Sequence, residues 1–407
     1  MEFNRELVSE LAEKHDSFYL YDEKIIEERI NALKTAFENV RFLYSVKANP
    51  LPAVLNCIFS NGVGADAASL GEVLTAKKMG LKPSDIYYSA LGKSAKAIEA
   101  ALGSCVIIAD SVNEVERINE ASSRQGITAQ IGIRINPDFT FDGDEGVANK
   151  FGIDEKMVFE CLEHWKSLDN IRIIGIHVHS RSQELDGGLI ADYYARMIEL
   201  ALRFQSALGE ALHFVNMGSG IGIPYARDDN EVDIMLLGGE MSKLLDRYSD
   251  ALAGTQIMIE SGRYIAGKCG VYATRVVDIK QSYDKTFVLL SNTLNGFVRP
   301  SIACMVEGYT NEEKPNGCEP MYTGRGAFEI AALSDSEETE TVTLTGNLCT
   351  GTDVIAKDIE LPKLKCGDVV VISNAGSYAA VLSPMQFASL EKPAQIFAKS
   401  DGETIEG

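Results

Sequence analysis

Short apolar runs recur at regular intervals along the chain, and segments with helical spacing separate them. The apolar runs are 41–48, 62–69, 85–90, 105–111, 130–137, 173–180, 214–220 and 256–263. Between them, segments such as 69–80 (SLGEVLTAKKMG) and 111–126 (SVNEVERINEASSRQG) carry apolar residues three and four apart, which predicts amphipathic helices. Apolar strands that alternate with helices are typical of a parallel sheet buried on both faces. Eight such units within about 220 residues predict a closed, TIM-like (β/α)8 barrel of the α/β class.

The pattern changes after about residue 265, where helical spacing gives way to strands and turns. Segments 269–292 (CGVYATRVVDIKQSYDKTFVLLSN), 340–349 (ETVTLTGNLC) and 367–378 (GDVVVISNAGSY) are strand-like, and so is 17–22 (SFYLYD). A run of strands after an alternating region predicts a second, β-rich domain of sandwich or barrel type. We therefore predict a barrel over 24–268, and a β-domain built from 1–23 together with 269–407.

Length and charge narrow the classes of protein and partner. A chain of 407 residues exceeds one ordinary core, and two or three domain-sized units are typical. A formal net charge of -21 argues against nucleic-acid binding, which needs a basic surface. The sequence shows no run of about 18 apolar residues, so no membrane span is expected. The N-terminal segment is charged and amphipathic, unlike a signal peptide.

Eight cysteines are scattered along the chain without a CxxC pair. They lie at positions 57, 105, 161, 269, 304, 318, 349 and 366. This spacing shows neither a zinc motif nor a redox motif. Most occur in apolar or mixed runs, as buried thiols of a reducing compartment do, which predicts a cytoplasmic protein. The role of Cys349 is open at this point.

Charged, polar and glycine residues end most of the predicted barrel strands. Barrel enzymes place their sites at the C-terminal ends of the strands, so these side chains should converge on one mouth. They are Lys47, Asp66, Arg134, His177, His179, Ser182, the glycine-rich segment 218–222, Glu260, Gly262 and Arg263. The packing of an apolar barrel does not require such a set.

Each of these features also has a purely structural interpretation. Lys47 could extend its ammonium group into solvent, or it could be a desolvated amine of lowered pKa that forms a Schiff base. The glycine-rich segment could be a tight turn, or a row of backbone N–H groups around a phosphate. The segment 260–263 (ESGR) could form an ion pair, or it could add phosphate donors while Glu260 holds a proton on a ring nitrogen.

The two histidines of the predicted sixth strand sharpen the choice of cofactor. We expect one of His177 and His179 to face the barrel interior and the other to be structural. Without a third ligand nearby, a metal site is the less favoured interpretation. A lysine, a phosphate-binding backbone, an acid and a flat imidazole together indicate pyridoxal 5'-phosphate (PLP). Its protonated ring is an electron sink suited to the loss of CO2 from an α-amino acid.

Six separated motifs resemble those of the barrel-type (fold type III) PLP-dependent decarboxylases, the family of diaminopimelate and ornithine decarboxylases. In family order they are YSVKANP (44–50), HVHSRSQ (177–183), NMGSGIGIPY (216–225), ESGRYIAG (260–267), LCTGTD (348–353) and NAGSYAAVLSP (374–384). The segment KFGI (150–153) also matches a family signature. The resemblance covers roughly residues 15–395 and implies a two-domain fold with PLP as cofactor.

The resemblance implies a role for each matching residue. Lys47 would form the Schiff base, Glu260 would pair with the pyridine nitrogen and His179 would stack on the ring. Asp66 joins them in the cofactor site. The phosphate contacts would come from Ser182, Gly220, Gly262, Arg263 and Tyr378. Cys349 would reprotonate the carbanion after CO2 leaves, and it would come from the partner subunit of a head-to-tail homodimer.

Departures from the family pattern concern the substrate. Thr350 stands where relatives carry an acid that holds a distal amino group, and the loss of that pairing would cost about 2–5 kcal/mol in a buried site. Arg299 matches and could hold a distal carboxylate or another anion. Ala303 replaces a tyrosine, and Arg181 replaces a glycine and should add an uncompensated charge near the mouth. Together these favour a modified amino acid that is acylated, citryl-linked or carrier-bound.

Three alternatives stay open. One is a true meso-diaminopimelate decarboxylase of lysine biosynthesis. A second is an amino-acid racemase, in which an arginine would face the pyridine nitrogen, so that Glu260 favours decarboxylation. The third is a non-catalytic PLP-binding regulator, which should have lost Lys47 or Cys349.

Overall fold

The N-terminal segment contributes its strand to the second sheet rather than to the barrel. The structure, a computed structural model, describes residues 3–218, 220–226, 228–309, 318–324 and 326–407. Helix α1 (Arg5–Ala12) precedes strand β1 (Ser17–Asp22). Strand β1 pairs antiparallel with residues 270–274 and parallel with residues 394–398.

Eight parallel strands close into a barrel in the order of the chain. The eight barrel strands are β2 (Val40–Ser45), β3 (Gly64–Ala67), β4 (Ile86–Tyr88), β5 (Val106–Ala109), β6 (Ala129–Asn136), β8 (Ile171–His177), β9 (Phe214–Asn216) and β10 (Gln256–Glu260), and the two-residue β7 (Ile153–Asp154) is a ninth parallel strand outside the ring. Pairing of β10 with β2 and of β5 with β6 completes the closure, while β7 pairs with β6 alone. The predicted (β/α)8 barrel is confirmed, and all eight predicted strands are present.

Helices surround the barrel. They are α2 (Glu23–Ala36), α3 (Pro52–Ser60), α4 (Leu70–Lys78), α5 (Ala95–Ala101), α6 (Val112–Gln125), α7 (Glu155–Lys166), α8 (Gly187–Leu208), α9 (Ile234–Arg247) and the single turn α10 (Arg263–Ala266). Serine residues cap three of them, because their side chains accept hydrogen bonds from backbone N–H groups of the first turn. Helix α6 ends at Gly126, whose φ of 66° suits a residue without a Cβ.

The N-terminal end of the barrel is filled by side chains. Its lower layer consists of Leu43, Tyr87, Ile108, Ile174, Phe214 and Met258. Glycines make room for the Phe214 ring, since a Cβ on Gly175 would lie 2.5 Å from that ring and one on Gly132 would lie 2.8 Å from it. The barrel is therefore closed at this end, and a ligand can enter from the C-terminal ends of the strands.

The predicted β-rich second domain is also confirmed. Its strands are β1 with β11 (Gly270–Ser282), β12 (Lys285–Leu290), β13 (Ile330–Leu333), β14 (Thr339–Thr345), β15 (Val354–Pro362), β16 (Val369–Ile372), β17 (Ala394–Ala398) and β18 (Thr404–Glu406), together with helix α11 (Val298–Val306). The domain boundaries, between residues 23 and 24 and between residues 268 and 269, stay a prediction. Within the described ranges, no helix has both the length and the apolar character needed to cross a bilayer.

Candidate active site

A cavity of about 390 Å³ lies at the C-terminal ends of the barrel strands. It is lined by Ser45, Lys47, Ala68, Ser89, Ala90, Leu91, Arg134, Phe151, His177, His179, Ser182, Gln183, Ile221, Glu260, Gly262, Arg263, Glu319, Pro320 and Tyr378. Most of the residues predicted from the strand ends therefore meet at one mouth.

Lys47 enters this cavity from a single 3₁₀ turn (Val46–Ala48) that follows β2. Its Nζ donates to Oδ2 of Asp66 at 3.3 Å. Asp66 is fully buried at the end of β3, and it also accepts hydrogen bonds from the hydroxyls of Ser45 (2.9 Å) and Ser89. Asp66 is thus held from three sides, and it directs the amine of Lys47 while that side chain keeps 42% of its accessible area.

The expectation of a lowered pKa at Lys47 is wrong for this protein without a ligand. Burial lowers the pKa of the amine, but the attraction of Asp66, followed by Tyr378 and Glu260, outweighs it and raises the pKa above its ordinary value. Three acidic groups around the cavity therefore hold Lys47 as an ammonium ion. The wall beside the amine is charged rather than apolar.

Glu260 ends β10 and lies only 3% exposed at the base of the cavity. Its Oε1 accepts a hydrogen bond from Nδ2 of Asn216 at 2.9 Å, and Nε2 of His177 lies 3.2 Å away. Burial raises the pKa of Glu260, but His177, then His179 and Lys47, outweigh it and lower the pKa below its usual range. The site therefore holds a buried carboxylate in its ionised form.

Both histidines line the cavity, so the expectation that only one of them faces the barrel interior is wrong. Side chains two residues apart along a strand point to the same face, and His177 ends β8 while His179 follows it. Burial is the main cause that lowers the pKa of His179 to about 3. Its imidazole is therefore neutral near pH 7, as a ring that stacks on a flat cofactor should be.

The glycine-rich segment approaches the loop after β8 closely. A Cβ on Gly218, whose φ is 66°, would lie 2.2 Å from the carbonyl oxygen of Val178. Gly262 lines the cavity, and a Cβ there would meet Ala48 and Ser45 at 3.0 and 3.1 Å. These glycines leave backbone exposed where a phosphate could be bound. Ser219 of this segment lies outside the described residues.

Gln183 is a site residue that sequence reasoning missed. Its Nε2 donates to the carbonyl oxygen of Ile223 at 2.5 Å, and the Ile223 N–H donates back to its Oε1 at 3.2 Å. The neighbouring Glu184 N–H donates to the carbonyl oxygen of Gly220 at 2.8 Å. These hydrogen bonds join the loop after β8 to the glycine-rich segment, and Gly220 takes part through its carbonyl oxygen. Ser182 lines the cavity. The motif HVHSRSQ contains Gln183, but the motif alone does not reveal this contact.

Tyr378 reaches the cavity from the second domain. Its φ of 53° is unusual for a residue with a Cβ, and its N–H donates to the carbonyl oxygen of Ala48 at 2.8 Å. The guanidinium of Arg263 lies 5.0 Å from the centre of its ring. A strained tyrosine held against the Lys47 turn is typical of a functional position.

Two further residues were missed by sequence reasoning, Tyr225 and Glu319. Arg263 donates to the hydroxyl oxygen of Tyr225 at 2.8 Å and pairs with the carboxylate of Glu319. Tyr225 lies in the motif NMGSGIGIPY, and this motif could have indicated that Tyr225 lies near the cavity. Glu319 lies in no recognised motif, and no sequence pattern marked it.

The predicted catalytic Cys349 and two predicted substrate residues, Thr350 and Arg299, lie outside the cavity of their own chain. Cys349 and Thr350 lie in the turn after β14, where Cys349 is exposed and Thr350 bonds to Thr352 through the hydroxyls at 2.9 Å. Arg299 is 1% exposed and lies behind Tyr225, to whose hydroxyl it donates at 3.2 Å.

The expectation of an uncompensated charge at Arg181 is wrong. Its guanidinium pairs with Asp142 and with Glu184, the latter at 2.8 Å, and lies 5.1 Å from the centre of the Phe141 ring. Two carboxylates on neighbouring segments therefore balance the charge. A contact between Arg181 and substrate stays a prediction.

Buried polar atoms around the cavity support a bound polar group. Among the described residues, Nδ1 of His177, Oγ of Ser261 and Nε of Arg263 are buried without a hydrogen-bond partner. Such atoms are rare in proteins and call for a partner such as a ligand or a water molecule. A phosphate and an aromatic ring nitrogen would supply partners of the right kind. A separate trio of candidate metal ligands, Glu23, Glu27 and Cys57, lies outside this cavity.

A barrel that brings a lysine, a buried carboxylate, a neutral histidine and glycine-rich backbone to one mouth defines a class of enzyme that uses pyridoxal phosphate. The profile described as "Pyridoxal-dependent decarboxylase, pyridoxal binding domain" matches residues 23–267. The chain belongs to this family of decarboxylases, and its cofactor is PLP.

Curated relatives span nearly the whole chain. An L-glutamyl-[BtrI acyl-carrier protein] decarboxylase of Niallia circulans is 30% identical and covers 94% of this chain and 89% of its own. A diaminopimelate decarboxylase of Archaeoglobus fulgidus is 31% identical and covers 94% and 88%. The enzyme is thus a PLP-dependent decarboxylase of the diaminopimelate decarboxylase type.

Solved structures agree with the fold. Diaminopimelate decarboxylase from Helicobacter pylori, complexed with L-lysine, has a TM-score of 0.82 at 28% identity and covers 98% of this chain and 95% of that chain. Lysine decarboxylase from Selenomonas ruminantium has a TM-score of 0.80 at 22% identity, covers 98% and 96%, and supports the fold alone.

The contact between Lys47 and Asp66 leads to a test in the cofactor-free protein. Asp66→Asn removes the strongest attraction on the ammonium ion while burial remains, so the pKa of Lys47 should fall by about 1 unit or more. The pH midpoint for reductive methylation of Lys47 by formaldehyde, followed by mass spectrometry, measures this. Asp85→Asn, which unpairs Arg41 elsewhere in the barrel, is the control. An unchanged midpoint in Asp66→Asn would contradict the proposed contact.

Proposed function

We propose that this enzyme removes the α-carboxylate of a modified amino acid, one whose side chain is acylated, citryl-linked or carrier-bound. The observation that carries the decarboxylase chemistry is the buried, ionised Glu260 at the base of the cavity. When bound, PLP supplies a protonated ring that accepts the electron pair released with CO2. An ionised carboxylate beside the ring nitrogen keeps the proton there, whereas an arginine at that position would favour a racemase.

Different residues of the cavity bind different parts of the cofactor. Lys47 binds the cofactor covalently through Nζ, and Asp66 orients that amine. The imidazole of His179 would lie against the cofactor ring, and it would be neutral near pH 7 because burial lowers its pKa to about 3. The phosphate is held by groups of the loops and of the second domain, namely Ser182, Gly220, Gly262, Arg263 and Tyr378.

Cys349 donates the proton that replaces CO2, and it does so in the cavity of a second copy of the chain. The thiol is exposed and lies outside the cavity of its own chain, so a second subunit must bring it to a neighbouring Lys47. This requires a head-to-tail homodimer with shared sites. Within the described residues no disulfide joins any of the eight cysteines, which fits the cytoplasmic location that we infer.

Thr350, which follows Cys349, distinguishes between substrates with a distal ammonium group and modified amino acids. A threonine cannot pair with a distal ammonium, and the loss of a buried charge pair costs about 2–5 kcal/mol. Arg299 and Arg181 are the candidate residues for an anionic part of the substrate. The relative from Niallia circulans, whose name gives a carrier-bound glutamyl substrate, favours a tethered amino acid. The relatives named diaminopimelate decarboxylases keep meso-diaminopimelate as the second candidate.

Lys47→Ala tests the covalent attachment of the cofactor. Because the variant lacks the only side chain proposed to bind PLP covalently, it should lose the visible absorbance band of the bound cofactor and all CO2 release. The exposed Lys156→Ala is a matched control that should keep both. A Lys47→Ala enzyme with a normal band and normal turnover would disprove the assignment.

Subunit mixing tests the shared site. Lys47→Ala and Cys349→Ala homodimers should each be inactive, but a mixed dimer holds one intact site. Random reassortment of equal amounts should restore about a quarter of the wild-type rate, because half of the dimers carry one of two sites. If the mixture stays inactive after subunit exchange has been verified by mass spectrometry, Cys349 does not act in trans.

A CO2-release screen tests the substrate class. We expect acylated or carrier-tethered amino acids to be decarboxylated with a kcat/KM about tenfold or more above that of free meso-diaminopimelate, because Thr350 offers no charge to a distal ammonium. Free ornithine and lysine serve as further comparisons. Efficient turnover of meso-diaminopimelate would favour the second candidate instead.

A further inference from the structure

His177 is a buried histidine at the end of β8, and its side chain is only 1% exposed. It lines the cavity, and Arg134 of β6 and Asn216 of β9 lie beside it in register on the two neighbouring strands. A polar side chain that is buried in a barrel is costly unless it has polar partners. The contacts of His177 therefore indicate what this residue does.

The partner of His177 is the buried carboxylate of Glu260. Nε2 of the imidazole lies 3.2 Å from Oε1 of Glu260, and both side chains are at most 3% exposed. An ionised carboxylate has only acceptor atoms, so the ring nitrogen that faces it must carry a hydrogen. The contact therefore fixes His177 with a hydrogen on Nε2, and Nδ1 points away from Glu260.

The two oxygens of Glu260 have different surroundings. Nδ2 of Asn216 donates to Oε1 at 2.9 Å, so the contacts from β8 and from β9 both fall on this oxygen. Oδ1 of Asn216 accepts from the Gly218 N–H at 3.0 Å, and the Glu260 N–H donates to the Gly218 carbonyl oxygen at 2.8 Å. Oε1 is therefore held by the barrel, and Oε2 is the oxygen that can face a ligand in the cavity.

The charge state of Glu260 depends on His177 more than on its other neighbours. Burial raises the pKa of this carboxyl group, and His177 is the foremost of the groups that outweigh burial, ahead of His179 and Lys47. The imidazole of His179 is neutral near pH 7, because burial lowers its pKa to about 3. Lys47 is the residue that binds the cofactor. His177 is thus the neighbour whose only contact of this kind is with Glu260.

We propose that His177 is a positioning residue, which holds Oε1 of Glu260 and thereby directs Oε2, in ionised form, to the ring nitrogen of the cofactor. This inference rests on the proposed function, because it concerns the ring proton that the decarboxylation needs. Without a partner, a carboxylate buried in this place would take up a proton and could no longer stabilise one on the ring. His177 acts through Glu260 and does not contact the substrate.

Three substitutions separate this role from a role in packing. His177→Leu keeps a side chain of similar size but has no N–H to face Glu260. His177→Gln and His177→Asn carry the same amide, but only the longer glutamine side chain brings its nitrogen to the place of Nε2. Among the described residues Nδ1 of His177 has no partner, so these variants leave no group there unpaired. His164→Leu, which removes a histidine 2.8 Å from Glu116 at the surface, is the matched control.

The readout is the 15N chemical shift of the ring nitrogen in enzyme loaded with 15N-labelled PLP, which distinguishes a protonated from an unprotonated ring and needs no substrate. Wild type, His177→Gln and His164→Leu should show the protonated ring near pH 7, whereas His177→Leu and His177→Asn should shift toward the unprotonated ring. Thermal unfolding checks that each variant is folded. A wild-type shift in a folded, PLP-loaded His177→Leu enzyme would overturn the proposal. Where that variant does not load, equal shifts in His177→Asn and His177→Gln would overturn it.

Kinetics separate this proposal from the proposed function. For a substrate found by the CO2-release screen, kcat of His177→Leu should fall about tenfold or more while KM stays within about twofold, because His177 contacts Glu260 and not the substrate. If no amino acid or derivative releases CO2, the proposed function fails, while the ring-nitrogen shift still decides the role of His177. If a folded, PLP-loaded His177→Leu enzyme keeps the wild-type kcat, the proposed function stands and this inference is wrong.

Discussion

Parallel pairing between β2 and β10 closes the barrel, and the site depends on this closure. Glu260 pairs in register with Leu43, and the N–H of Ser261 donates to the Leu43 carbonyl oxygen at 2.8 Å. The same strand β2 pairs with β3, where Ser45 lies opposite Asp66. Residues from the beginning and the end of the barrel therefore meet around Lys47. Without this closure, Lys47 and Asp66 would lie at one edge of an open sheet and Glu260 at the other edge.

The charges at the mouth are arranged so that each buried ion has a defined partner. Asp66 is held by two hydroxyls and turned toward the amine of Lys47, and Glu260 is held by Asn216 and faces His177. Burial raises the pKa of Glu260, but His177, His179 and Lys47 outweigh burial, lower that pKa and keep the carboxylate ionised. The barrel therefore holds charge in a rigid geometry before any ligand binds, and less reorganisation is needed when the cofactor enters.

Periodicity predicted the barrel well because buried parallel strands leave a strong local pattern. The strand-end rule then placed Lys47, Asp66 and Glu260 correctly at one mouth. The lowered pKa at Lys47 and the uncompensated charge at Arg181 were wrong, because the sequence does not show the contacts of Lys47 with Asp66 or of Arg181 with Asp142 and Glu184. The separation of the two histidines was wrong for a simpler reason, since residues two apart share a strand face. The roles of these residues in catalysis stay proposals.

The second domain supplies residues to the cavity at the open end of the barrel. Tyr378, Glu319 and Arg299 all come from beyond residue 268, and each reaches the cavity or its wall through contacts between the two domains. The family resemblance marked Tyr378 and Arg299, whereas Glu319 lies in no recognised motif and no sequence pattern marked it. This division follows from the physics of the fold: the barrel must be regular in order to close, whereas loops of the second domain can vary without opening it. Loops of the second domain, such as the one that carries Glu319, can therefore differ while the residues around Lys47 stay the same.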